Sequence, residues 1–299
     1  MNETLKNFLL IPFNILYKIS PKFELKLLFF LKKGYKLNLE NPKTYNEKLN
    51  WMKLYYKNEL MPICSDKYTV RQYVIDQGCG ELLNELLWEG FDPEKIPFDE
   101  LPNQFVIKVT RGSGKNIICK DKSQLDRKKT IRKLKKWLRQ KYLPAYGEWY
   151  YNVIEPRIII EKFLSNNNNE VPEDYKMFVF NNIEGKHDVG ITVVDTDRFS
   201  GHKRNIYDAD WNFLPNAWIS FPHDKEKILP KPQQYEQMVE YAKKLAKPFP
   251  HARIDFYIVK GKIYLGEITL MNGAGFGRIK PREFDEKLGS WIKLPDKLV

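Results

Sequence analysis

Asp255 and Glu267 lie in the stretch ARIDFYIVKGKIYLGEITLMNGAGFG, residues 252–277, which reads as two apolar strands joined by KGK. Whether the two acids meet depends on register, because strand side chains alternate between faces and a slip of one residue sends them to opposite sides. A two-residue turn at Lys260-Gly261 sets Val259 against Lys262 and separates the acids. A three-residue loop with Gly261 in the left-handed region sets Val259 against Ile263 and Asp255 directly opposite Glu267. That second register also collects Ile254, Phe256, Ile258, Tyr264 and Ile268 on the other face, so the apolar pattern selects it. Facing carboxylates repel one another unless positive charge lies between them. A divalent cation supplies it, magnesium foremost, since carboxylates, phosphate oxygens and water complete its octahedron. Arg253 or a lysine can equally neutralise the pair, and one acid can turn to solvent.

A second chemical signal is Lys108, in a β-branched run just before RGSGKN. Gly112 and Gly114 permit the backbone to wrap closely round a phosphate. The spacing is not that of a Walker A loop, and a glycine-rich turn is often only a turn.

The elements that must position these residues follow from the patterns around them. NQFVIKVT and IICK are strands flanking the glycine turn; RIIIEKFL is a buried strand ending in a carboxylate, and DYKMFVFNN another strand after the polar loop NNNNEVPE. Upstream, the chain to about Tyr56 is helical and broken at Pro12, Pro21 and Pro42, with Thr44 and Glu47 spaced as a capping box. SDKYTVRQYVIDQ starts a further helix at Ser65 or Asp66. Residues 120–141 read as a helix carrying eleven Lys or Arg, either a solvated cationic face or a docking surface for anionic polymer or lipid. PQQYEQMVEYAKKLAK is amphipathic and helical. Between His187 and Pro230 the pattern is poor, with strands expected only around GITVV.

The chain of 299 residues carries 50 Lys and Arg against 38 Asp and Glu, a net charge of +12, which favours an anionic partner. Basic residues gather in one helix with no nucleic-acid reader motif, so nucleic acid is not expected. Three scattered cysteines support neither a disulfide framework nor a zinc site and suit a reducing cytoplasm. The apolar run from Phe8 to Tyr17, broken by Pro12 and Asn14, is too short to span a bilayer and lacks a cleavage site. With KFELKLLFFLKK behind it, it packs on the main body or makes a peripheral contact with a membrane surface.

In order, Asp66-Lys67, VIKVTRGSGKN, IIIEKFL, DYKMFVF and ARIDFY…GEIT…NGAGFG resemble the ATP-grasp superfamily. More closely they resemble the TupA-like ATP-grasp proteins of bacterial surface-polysaccharide and teichuronopeptide biosynthesis, from about NLENPKTYNEKLNWMKLYY through LGSWIKL. The resemblance implies an α+β ATP-grasp fold, two subdomains clamping ATP, behind an N-terminal helical segment. The segments expected are 1–64 for the helices, 65–160 for the glycine-loop subdomain and 161–299 for the subdomain with the metal-binding hairpin. By the same resemblance Lys67 and Lys108 contact ATP phosphates under a loop of Gly112, Ser113 and Gly114. Glu161, with the backbone of Lys162 to Leu164, reads adenine; Asp174 holds ribose hydroxyls, and Lys176 joins the nucleotide-binding set. Arg253 stabilises charge developing on the transferred phosphate, while Asp255 and Glu267 bind magnesium. Thr269 stands where many ATP-grasp ligases have an asparagine as third metal ligand, and Asn272 lies three positions too far on to replace it.

The expected activity is therefore an ADP-forming carboxylate-amine ligase working through an acyl phosphate, with ATP and Mg2+ as cofactors. Its substrates would be a carboxylate and an amine, one of them a uronic acid or amino acid of a capsule, teichuronopeptide or similar glycan, nucleotide-linked or lipid-linked. Two rivals keep different parts of this: a small-molecule kinase with the same ATP site, and a glycosyltransferase-like polysaccharide protein that uses the acids otherwise.

Overall fold

The computed structural model describes residues 8–166, 171–196 and 201–297, so the first seven residues of the helical prelude and the middle of the NNNNEVPE loop fall outside it. The prelude is a set of short helices, α1 (Ile11–Ile19), α2 (Pro21–Lys33), α3 (Tyr45–Tyr55), α4 (Leu60–Ser65) and α5 (Val70–Asp76). Pro12 and Pro21 begin helices rather than break them, because in a first turn the missing N–H has no partner to lose. At α3 the capping box forms: the Glu47 N–H donates to Thr44 Oγ1 at 3.2 Å, and the Thr44 N–H donates to Glu47 Oε2 at 3.0 Å.

A small antiparallel sheet follows, with β1 (Leu86–Gly90), β2 (Phe105–Val109), β3 (Asn116–Cys119) and β4 (Ile158–Lys162) in the order β1-β4-β2-β3. Alternation splits it by face. Phe105, Ile107, Val109, Ile158 and Ile160 are buried with Leu134 of α6 (Arg127–Arg139), whereas Val106 and Lys108 look the other way. The helix is shorter than the basic run predicts. Asp126 caps it by accepting from the Lys129 N–H at 2.8 Å, and residues 122–124 form a separate 3-10 turn capped by Asp121. Two of its cations meet acids of the same subdomain, Arg127 with Asp99 at 2.5 Å and Lys135 with Glu94 at 2.6 Å.

The larger sheet is also antiparallel, ordered β10-β9-β5-β6-β7, from β5 (Asp174–Ile183), β6 (Lys186–Thr196), β7 (Lys203–Asp208), β9 (His251–Val259) and β10 (Lys262–Thr269). A two-stranded ribbon joins β8 (Trp218–Ile219) to β11 (Ile279–Lys280), and α7 (Tyr235–Ala246) and α8 (Arg282–Ser290) complete the chain. One face of this sheet, with Met177, Val179, Ala252 and Ile254, packs on α7. On the other face Phe178, Phe180 and His251 lie under Tyr45 of α3, whose hydroxyl is 2.8 Å from His251 Nε2. Apolar packing divides the chain otherwise than the three expected segments. Residues from Ile96 to Leu134, with Ile158 and Ile160, supply one core, while α1 to α5, Ala145 and Tyr150 share the other with the larger sheet, and position 161 falls inside a strand of the small sheet.

The β9–β10 hairpin departs from the expected geometry at its turn yet delivers the expected pairing. Val259 faces Lys262, so the connection is the two-residue one, with Lys260 and Gly261 both at positive φ, 50° and 78°. Ile263 and Leu265, rather than Tyr264, therefore join Ile258 and Phe256 on the core face. A bulge at Gly266 then shifts the register by one, and Glu267 comes back opposite Asp255. Only glycine fits there: a Cβ would stand 2.8 Å from the Tyr257 ring and 3.3 Å from the Asp255 carbonyl oxygen.

Candidate active site

The upper half of the larger sheet's inner face is charged, and strand pairing explains why. Asp174 pairs with Tyr257 and Asp195, Lys176 with Asp255, Asp255 with Glu267, Arg253 with Thr269, and Asp195 with Arg204. Residues directly opposite share a face, so one stripe across five strands carries all these groups. The small sheet offers Val106, Lys108, Asn116 and Ile118 from across the gap. Between the two lies a cleft of about 350 Å³, closed at the hinge by Lys162, Phe163 and Leu164. Lys67, Ser113, Gly114, Asp174, Lys176, Arg253, Asp255 and Glu267 also line it, so most residues expected from the sequence converge.

Asp255 is the centre of the charged stripe. Arg253 grips it with two parallel bonds, Nε to Oδ1 at 2.6 Å and Nη2 to Oδ2 at 2.7 Å, and Lys176 Nζ reaches Oδ2 at 2.7 Å. Burial alone would lift the Asp255 carboxyl, but Arg253 and Lys176 outweigh it and hold the pKa below the usual value. Burial likewise opposes the Arg253 charge, and Asp255, Glu267 and Asp174 together push its pKa above normal. Both groups stay ionised. Lys176 also meets Asp174 at 2.5 Å and Asp195 at 3.7 Å.

Thr269 and Asn272 serve Arg253. Nη2 donates to Thr269 Oγ1 at 3.0 Å and Nη1 to Asn272 Oδ1 at 2.5 Å. The Thr269 hydroxyl is thus turned to the guanidinium, contrary to the expected third ligand. With Asp255 included, four of the five guanidinium N–H groups are engaged and one on Nη1 remains. The loop carrying Asn272 is held from below by α3, where Asn50 Nδ2 donates to the Gly275 carbonyl at 2.7 Å and Lys53 Nζ to the Ala274 carbonyl at 2.5 Å. The helical prelude thus reaches the site through this loop.

On the opposite wall Lys67 Nζ donates to the Gly112 carbonyl at 2.5 Å, tying the Asp66-Lys67 segment to the glycine turn. Gly112 and Gly114 have φ of 78° and 75°, and open space surrounds both, so backbone conformation alone requires glycine there. Burial lowers the Lys67 pKa, Glu267 opposing and Lys108 adding to the fall. Glu161 differs from expectation. Its carboxylate is buried and committed to Lys108 at 2.5 Å and Arg71 at 3.1 Å, which positions Lys108 rather than opening to a base. The Lys162 peptide is also used, its N–H donating to the Glu85 carbonyl and its own carbonyl accepting from Asn84, so Phe163 and Leu164 are left to border the cleft.

Sequence patterns missed Asp195, His202 and Arg204. Arg204 grips Asp195 through Nε at 2.5 Å and Nη2 at 2.7 Å, and His202 stacks on Phe221 with centroids 3.8 Å apart. Burial opposes ionisation of Asp195, but Arg204, then Lys176 and His202, bring its pKa down to about 2. The alternation in GITVVDT was the available signal for Asp195.

Among the described residues no group of three His, Cys, Asp or Glu side chains is gathered as a metal site. The chemistry of the facing pair nonetheless suits a hard cation bound together with phosphate oxygens. Asp255 Oδ1 accepts a single bond and keeps a lone pair, and Glu267 stands 3.9 Å from Arg253 with its carboxylate partly exposed to the cleft.

The sequence profile of the TupA-like ATPgrasp family matches residues 47–293. No curated protein matches the chain. Among solved structures, D-alanine-D-alanine ligase from Helicobacter pylori is 15% identical over 78% of this chain and 62% of its own, with a TM-score of 0.44. The corresponding ligase from Bacillus anthracis is 18% identical over 70% and 57%, with a TM-score of 0.40. N5-carboxyaminoimidazole synthetase from Staphylococcus aureus is 10% identical over 70% and 44%, with a TM-score of 0.42. The chain thus spans 44% to 62% of the length of these proteins. Two antiparallel sheets with a charged cleft between them form the ATP-grasp fold, and with its profile matching over most of its length the chain belongs to the TupA-like ATP-grasp family.

Proposed function

We propose that the cleft binds ATP and joins a carboxylate to an amine, releasing ADP and phosphate. One observation carries this: Arg253, Asp255 and Glu267 on one sheet face Lys67, Lys108 and the glycine turn on the other across a space of nucleotide size. Adenine lies against Phe163 and Leu164 at the hinge, with Asp174 toward the ribose. Lys67, Lys108 and the N–H groups of residues 112–114 take the phosphates, and Glu161 keeps Lys108 aimed at them. Magnesium, the ion suited to this donor set, would be held by Asp255 and Glu267 and would neutralise phosphate charge.

The substrate carboxylate attacks the γ-phosphate, a P–O bond forms as the bond to ADP breaks, and an acyl phosphate results. The amine then displaces inorganic phosphate and forms the amide. The remaining Nη1 N–H of Arg253 and the Lys176 ammonium supply fixed positive charge where the transferred group is most negative, held in place by Asp255, Thr269 and Asn272. We assign the acceptor to a uronic acid or amino acid of a bacterial surface glycan, a reading supported by the family resemblance, and the work to the cytoplasm, where ATP is supplied. No helix among the described residues is long and apolar enough to cross a membrane.

The test supplies magnesium, ATP and a panel of uronates and amino acids. ADP and phosphate should appear in equal amounts, dependent on a carboxylate, with a hydroxamate when hydroxylamine replaces the amine. AMP release, or a stable phosphorylated product without free phosphate, overturns the ligase reading, the second outcome in favour of a kinase.

A further inference from the structure

We propose that α1 and α2 form a surface that seats the protein on an anionic lipid bilayer. The inner sides of both helices are held: Leu25, Leu28 and Phe29 are buried in the large core, and Asn14 Oδ1 accepts from the Ala145 N–H at 3.0 Å. Their outer sides are apolar and open. Phe8, Ile15, Ile19, Phe23 and Leu31 are 67%, 57%, 76%, 58% and 61% exposed. Ile11, Ile15 and Ile19 are spaced four apart and share one face of α1, in which no residue is buried, and Phe8 is exposed just ahead of it. Soluble monomers rarely leave so many large side chains together in water.

Charge identifies the occupant. Of the six lysines in residues 8–36, Lys18, Lys22, Lys26, Lys32 and Lys36 are exposed, while Lys33 turns inward and donates to the Gly277 carbonyl at 2.7 Å; the one carboxylate is Glu24. Glu24 is 0% exposed, so its carboxylate is turned into the protein and away from this face. An apolar stripe rimmed by lysines suits the boundary between acyl chains and anionic headgroups, where the stripe enters and the ammonium groups remain at phosphate level. A second copy of the chain is a poor occupant, because an isologous contact brings lysine rim against lysine rim. At nine and thirteen residues, α1 and α2 are too short to cross and would lie in the plane of the surface. None of this depends on the ATP reading.

The experiment sediments the full chain with vesicles of phosphatidylcholine alone or with phosphatidylglycerol added. At least about tenfold more protein should bind the anionic vesicles, and raising the salt should release much of it. Ile15→Asp with Ile19→Asp, and separately Lys18→Glu with Lys22→Glu, should each lower binding by about tenfold or more without changing the melting temperature, since these side chains point outward. Equal binding to both vesicle types, no binding to either, or undiminished binding by both variants overturns the proposal. A dimer in solution that Ile15→Asp with Ile19→Asp dissociates also overturns it and makes this face a contact between copies.

Discussion

Two clusters of buried charge lie on opposite sides of the loop at residues 272–275 and respond to burial in opposite ways. In the cleft, Asp255 lies within 2.7 Å of both Arg253 and Lys176, and attraction between the carboxylates and these cations keeps Asp255 below and Arg253 above their ordinary pKa values. Behind the loop, Glu24 of α2 and Lys53 of α3 are as deeply buried, but neither oxygen of Glu24 has a hydrogen-bond partner. Burial lifts the Glu24 carboxyl to about 8, Lys53 reversing only part of it. Burial also takes Lys53 down to about 7, with Glu148 and Glu24 opposing. Depth alone therefore does not decide whether a buried group is charged. Bond geometry does, and the cluster with the geometry is the one that faces the cleft.

Breaking the paired cluster should have the largest effect. Asp255→Asn removes one carboxylate with little change in shape and leaves Arg253 and Lys176 without their shared counter-charge. Turnover should fall by about a hundredfold or more, with a loss of stability on the order of 3 kcal/mol in the absence of nucleotide. Steady-state rates and urea unfolding check both. Unchanged turnover would detach the cluster from the chemistry.

Neutralising Glu24, whose oxygens have no hydrogen-bond partner, should do the reverse and raise stability. The folded pKa of Glu24 lies above its unfolded value, so the folded state holds the extra proton. Its contribution is complete below about pH 4.5 and is lost as pH rises through about 8. Lys53 runs the other way, its contribution complete above about 10.5 and lost as pH falls through about 7. Glu24→Gln removes the first penalty. The variant should match the parent near pH 5 and exceed it by a few kcal/mol near pH 9, an increment that grows with pH. Melting curves across that range decide it; an increment that is flat or shrinks with pH would mean that Glu24 is ionised in the fold after all.

The paired cluster was more legible in sequence than its neighbour. Period two in DYK and RID puts Asp174 with Lys176 and Arg253 with Asp255 on shared faces without any tertiary knowledge. The meeting of Asp255 and Glu267 was expected through a three-residue loop, whereas the chain achieves it through a two-residue turn and the Gly266 bulge. Both routes insert one residue, so the pattern of apolar faces could not distinguish them near the acids. What did distinguish them was the position of Tyr264, and the bulge itself depends on the close approach of Tyr257, a contact absent from any local pattern. Arg204 and Asp195 meet across two strands whose connection passes through a stretch of weak periodicity. Glu24 was hidden altogether, since in KFELKLL a lone acid among lysines suggests a solvated pair, and only packing reveals that it points inward.

The smallest effect should come from the turn that closes the hairpin, and it tests whether the paired cluster works through its charges or through hairpin stiffness. Lys260 holds φ at 50°, a left-handed conformation that a lysine side chain disfavours and that asparagine tolerates well. Asn-Gly is the favoured pair for a two-residue turn with both central residues in this region. Lys260→Asn should therefore stabilise the protein by roughly 0.5 kcal/mol, read as a rise of a degree or two in melting temperature. Because four residue pairs of the ladder separate the turn from Asp255, ion-pair geometry in the cleft should not change, and turnover should stay within about twofold of the parent. A stabilised variant with sharply altered turnover would show that motion of the hairpin, rather than the fixed charges of Arg253, Asp255 and Lys176, limits the reaction.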